Sequence, residues 1–121
     1  MIEAYGGVQK FYNKFFISSI CPYGFIENGN NFNYYDNKIL LENWKKSIIK
    51  WINIQLNSFG NSKKCVIIGK GKNQKFFEMI NKDYKFFDEI VTLPHPRWVM
   101  QYKLKEKQNH INNYVTTLKN L

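Results

Sequence analysis

An α/β fold of three layers, with helices on both faces of a mostly parallel sheet, is what this sequence predicts. Three observations carry the prediction. Apolar runs of strand character, in KFFISSICP, CVIIG and FFDEIVTLPHP, alternate with stretches of helical periodicity, the pattern of parallel strands joined by right-handed crossovers. A length of 121 residues gives room for one domain with one modest core, spanning 1–121. Hydrophobic residues at 44% and aromatics at 17% describe a packed globule and argue against disorder.

The elements follow in order. Residues 2 to 13 read as a weak helix interrupted by Gly6 and Gly7, both poor helix formers. Phe15 to Cys21 reads as a buried strand ended by Pro22, with Ser18 and Ser19 as small polar residues inside it. YGFIENGNNFNYYDN is rich in Asn and Gly and reads as a long loop, a feature that often carries function in a compact domain. Asp36 or Asn37 caps a helix in which Leu40 or Leu41, Trp44, Ile48, Trp51 or Ile52 and Leu56 form one apolar face, so both tryptophans belong to the core. Phe59-Gly60-Asn61-Ser62 stops this helix, and Lys63 and Lys64 lead into CVIIG, whose β-branched run predicts a strand buried on both faces. GKGKNQ then turns into a short helix with Phe76, Phe77 and Ile80 inward. FFDEIVTLPHP is a third strand, and the tail from Trp98 to Leu118 is helical, with Leu104, Ile111, Val115 and Leu118 on one stripe and His110 solvated. No internal repeat or linker divides the chain.

The 18 Lys and Arg against 9 Asp and Glu leave a net charge of +9, which favours a polyanionic partner such as nucleic acid or an anionic surface. The excess of Lys, Asn, Ile, Phe and Tyr is also what A- and T-rich codons supply, so charge by itself leaves the partner open. Cys21 and Cys65 are too few for a disulfide framework and sit at strand edges, as reduced thiols of a cytoplasmic protein do. His95 and His110 have no further ligand at metal spacing, so no metal is expected. No run is long enough for a membrane span, and the amino terminus lacks the apolar core of a signal peptide.

In sheets of this type ligands bind outside the carboxyl ends of the strands. Those ends are Ser19-Ile20-Cys21-Pro22, Gly69-Lys70-Gly71-Lys72 and Pro94-His95-Pro96-Arg97. Pro94 and Pro96 leave the His95 backbone little freedom. Arg97 is the sole arginine, with Trp98, Val99, Met100, Gln101, Tyr102 and Lys103 behind it. Apolar wedges among cationic groups suit insertion into a base stack; a turn histidine bonded to nearby backbone is the plainer reading. The Gly69 to Lys72 turn lacks the spacing of a P-loop or dinucleotide fingerprint and reads as a strand-to-helix connection or as a contact to a DNA backbone. Ser18 and Ser19 lie in no nucleophile elbow, although Ser19 at a strand end could touch a base or phosphate.

LPHPRWVMQYK after an apolar strand resembles the His-Pro motif of the uracil-DNA glycosylase superfamily, in particular its single-strand-selective monofunctional (SMUG-type) members and their bacterial branch. FFISSICPYGFIENGNNFNYYD is similar to that family's base-recognition strand with its Cys-Pro, and CVIIGKGKNQKFF to its third strand and phosphate-proximal turn. The resemblance implies hydrolysis of the N-glycosidic bond of uracil or another deaminated base in DNA, without metal or cofactor, by a monomer on single- or double-stranded DNA in the cytoplasm, at the nucleoid. It implies His95 as the catalytic donor to the departing base. Ser19, Cys21 and Pro22 would line the base, with Ser19 where the family's uracil-reading asparagine usually lies; a hydroxyl cannot make that paired amide contact. Arg97, Trp98, Val99, Met100, Gln101 and Lys103 would engage DNA as the wedge region, and Gly69, Lys70, Gly71 and Lys72 its backbone. Arg97 and Trp98 replace the usual Ser-Pro.

The family's first central strand, which ends in a Gly-Met-Asn-Pro-like motif that positions the attacking water, has no match in the sequence. The expectation is a sheet lacking that strand, the missing motif lying before Met1, marginal stability, and weak or no activity from this chain alone. The alternative is a non-catalytic basic nucleic-acid-binding domain. An enzyme of small phosphates using GKGK is a third reading.

Overall fold

The computed structural model describes residues 1–59 and 63–121, so Gly60, Asn61 and Ser62 lie outside the described residues. Two short helices, α1 (Ile2–Tyr5) and α2 (Val8–Tyr12), open the chain, separated by Gly6 and Gly7 where the sequence predicts a break. A hairpin of β1 (Phe25–Glu27) and β2 (Asn30–Phe32) follows, and a 3-10 turn, Tyr34–Asp36, leads into the long helix α3 (Lys38–Phe59). Then come β3 (Lys64–Ile68), α4 (Lys72–Tyr84), β4 (Glu89–Leu93), α5 (Pro96–Tyr102), a second 3-10 turn at Leu104–Glu106 and α6 (Lys107–Lys119).

β3 and β4 pair in parallel, from Lys64 opposite Glu89 to Ile68 opposite Leu93, and α4 is their crossover. Successive side chains of β3 point to opposite faces. On one face Ile67 joins Tyr34, Ile48 and Ile52 of α3, and Phe76, Phe77 and Ile80 of α4, in the main core. On the other, Val66 packs against a smaller cluster of Tyr5, Phe11 and Leu118 from α1, α2 and α6. The layering is therefore the expected α/β/α, around a small parallel sheet. Asn37 is the cap of α3, its Oδ1 accepting from the backbone N–H of Leu40 at 3.0 Å, while Asp36 closes the preceding turn by accepting from Asn33.

The structure corrects four expectations. Phe15 to Cys21 forms no strand; Phe16 and Ile17 are 56% and 59% exposed. A strand must hand its backbone groups to a neighbour, and this segment instead faces β3 across a cavity of about 1450 Å³ that both line. β3 consequently has β4 at one edge and no strand at the other among the described residues, and although both its faces carry packing the expected full burial fails: Ile67 is buried and Val66 half-buried, but Ile68 is 42% exposed. The loop after Pro22 contains the β1–β2 hairpin, turned by Asn28 and Gly29 with φ of 51° and 76°, the paired positive φ values that an Asn-Gly turn supplies. Finally, the tail is two helices. Lys103 leaves helical geometry at φ −131°, which rotates Leu104 out of the stripe into solvent, while Tyr114, not foreseen in the core, is buried.

Candidate active site

The carboxyl end of β4 delivers the site's central residue. His95 has extended backbone (φ −70°, ψ 133°), as its flanking prolines require, and it is the N-cap of α5, with Pro96 at the first helical position. Its Nδ1 accepts the backbone N–H of Arg97 at 3.1 Å. A ring nitrogen that accepts carries no proton, so the neutral imidazole holds its hydrogen on Nε2, which stays available as a donor. The plain reading of His95 as a backbone-bonded turn residue and the functional reading are thus compatible: the cap orients the ring and leaves one donor free.

Gly69 makes the second wall. Its N–H donates to the Leu93 carbonyl at 2.7 Å, extending the β3–β4 ladder to the rim. At φ 111° it occupies backbone space that favours glycine, and a Cβ here would sit 3.5 Å from the Cβ of His95. The ends of β3 and β4 therefore meet at Gly69 and His95.

His95, Gly69, Lys70, Lys72, Ser19 and Cys21 all line the cavity of about 1450 Å³. The three predicted rim loops do converge there, while Pro22, Gly71 and residues 97 to 103 lie outside its lining. Ser19 is exposed and its carbonyl accepts the indole N–H of Trp51 at 3.2 Å, so Trp51 is half-buried and anchors this segment to α3. Cys21 packs at the margin of the main core, its thiol turned to the Tyr23 carbonyl at 3.7 Å. Lys72 pairs with Asp36 at 3.7 Å, tying the Gly-rich turn to the 3-10 turn before α3, and Lys70 has no ion-pair partner among the described residues. No Asp or Glu among the described residues lines the cavity.

On α5, Arg97, Trp98, Met100 and Gln101 face outward, and Lys103, half-buried at its end, pairs with Glu106 at 3.5 Å. Val99 does not belong with them. It is 4% exposed and points into the protein, because one side of a helix that leaves the sheet edge must pack back on it; it is a core residue, not part of a wedge. Tyr102 joins the exposed apolar groups. His110, expected in solvent, instead packs edge-on to Trp98, with ring centroids 6.0 Å apart and planes at 87°. Its Nε2 is buried without a hydrogen-bond partner, 3.9 Å from the Glu106 carboxylate. That support for Trp98 is invisible in sequence, since it depends on the turn that folds α6 back beside α5.

The chain is similar to known proteins. The family model of the uracil DNA glycosylase superfamily matches residues 2–119, and the chain belongs to that superfamily. Its structure is similar to the crystal structure of wild-type SMUG2 from Pedobacter heparinus, with 44% sequence identity and a TM-score of 0.89 over 98% of this chain and 53% of that one. The chain thus spans about half the length of that protein. No curated protein matches the sequence.

Proposed function

We propose that this chain forms the leaving-base and DNA-engaging side of a DNA glycosylase that removes uracil or another deaminated base. The observation that carries the reading is the hydrogen bond that orients His95: with Nδ1 accepting the Arg97 backbone N–H, the neutral ring keeps Nε2–H as a donor at the mouth of a mostly apolar cavity beside Gly69. The N-glycosidic bond breaks with its electron pair going to the base, the sugar gains oxocarbenium character, and water adds at C1′ with loss of a proton. A preorganised donor beside the base oxygen is worth most where water is scarce. The base reaches it flipped out of the stack, with exposed Trp98 and Met100 beside Arg97 filling the gap and Lys70 holding phosphate. No carboxylate among the described residues lines the cavity to activate water, so slow base release is the expected outcome.

That same absence favours one rival, a basic domain that binds nucleic acid without chemistry. Binding separates them from a third outcome. Affinity for short oligonucleotides should fall steeply with salt, and Arg97→Ala should weaken it on every sequence and flatten the salt slope. If affinity proved insensitive to salt and to Arg97→Ala, both DNA readings would be wrong.

A further inference from the structure

We propose that Asn73 reads the oxygen that deamination places on a base where an amino group stood, an inference that rests on the glycosylase reading above. Asn73 lies in the first turn of α4 and lines the same cavity as His95, Gly69 and Ser19. The hydroxyl of Tyr34 donates to its Oδ1. Tyr34 is buried in the main core against Phe76, and burial first, then the neighbouring Cys21 and Tyr35, holds its phenol well above the usual tyrosine range. The phenol stays protonated, and because the atom facing it is an amide oxygen it is the donor of this pair. The contact sets which end of the amide faces Tyr34, and the Nδ2 hydrogens at the other end meet no acceptor among the described residues. The Lys72–Asp36 ion pair joins the same two elements, one residue from Asn73 and two from Tyr34.

An amide held with its donor end toward a base is selective. Its Nδ2 donates to a carbonyl oxygen, as on uracil, and opposes an amino group, as on cytosine, because two donors facing each other leave both unpaired. Phosphate is the weaker assignment for this residue: Asn73 is neutral and half-buried, whereas Lys70 and Lys72 stand exposed on the same turn. The placement also supplies what Ser19 lacks, an amide at the base.

The test is the ratio of affinities for single-stranded oligonucleotides that differ only in carrying one uracil or one cytosine, measured by fluorescence anisotropy. The wild-type chain should favour uracil. Asn73→Ala should lower the ratio roughly tenfold, the scale of one specific base contact. Asn73→Asp, nearly isosteric but an acceptor, should carry it past unity toward cytosine, and Tyr34→Phe, which frees the amide to rotate, should lower it in part. Circular dichroism establishes that each variant is folded. A ratio that Asn73→Ala and Asn73→Asp leave unmoved, or equal losses on both oligonucleotides, overturns this assignment while the glycosylase reading stands. A wild-type chain without salt-dependent DNA affinity overturns both.

Discussion

Trp98 and Val99 are neighbours in sequence with opposite fates. Trp98 is 42% exposed and supported by His110, whereas Val99 is buried against the body of the protein. Their substitutions should separate binding from folding. Val99→Ala removes buried methyl groups and should cost about 2 kcal/mol in denaturant unfolding while DNA affinity holds. Trp98→Ala should leave unfolding nearly unchanged and weaken affinity for single-stranded DNA about tenfold, the usual loss when a stacking aromatic is removed. Equal behaviour of the two variants in both measurements would contradict the assignment of faces on α5. The motif around His95 was legible because proline acts locally. Which of its followers turn inward was not, since that depends on how α5 leaves β4. The Tyr34–Asn73 contact joins residues 39 apart and has no local signature at all.

At the scale of elements, α3, α4, β3 and β4 were readable because apolar periodicity and β-branched runs are properties of short windows. The hairpin at Asn28 and Gly29 was written in the sequence too, but its polar, Asn-rich flanks read as loop. The segment from Phe15 to Cys21 has strand composition without a strand's neighbour, and composition cannot report what lies alongside. β3 offers a titration that tests the burial of its inner face. Burial pushes the Cys65 thiol from 9.0 up to about 11. A group whose folded pKa is raised contributes stability that is complete below the unfolded value and is lost as pH climbs through the folded one. Unfolding free energy should therefore fall by about 2 kcal/mol between roughly pH 9 and pH 11. Cys65→Ala should flatten that part of the curve, and urea melts across this range check it. An identical alkaline loss in Cys65→Ala would show that the thiol is not the group responsible.

For the molecule as a whole, a two-stranded parallel sheet holds helices on both faces beside a cavity of about 1450 Å³. Two strand ends and one irregular segment bring His95, Gly69, Lys70, Asn73 and Ser19 to that one opening. The central claim is that His95, oriented through Nδ1, stabilises a departing base. Base release is the direct measurement: protein in excess over a uracil-containing oligonucleotide, followed by alkaline cleavage of abasic sites and a sequencing gel. The account predicts slow release by the wild-type chain and release lower by about a hundredfold in His95→Ala, the loss typical of one donor to a developing anion. Bound DNA that yields no abasic sites, or release that His95→Ala leaves unchanged, would contradict it.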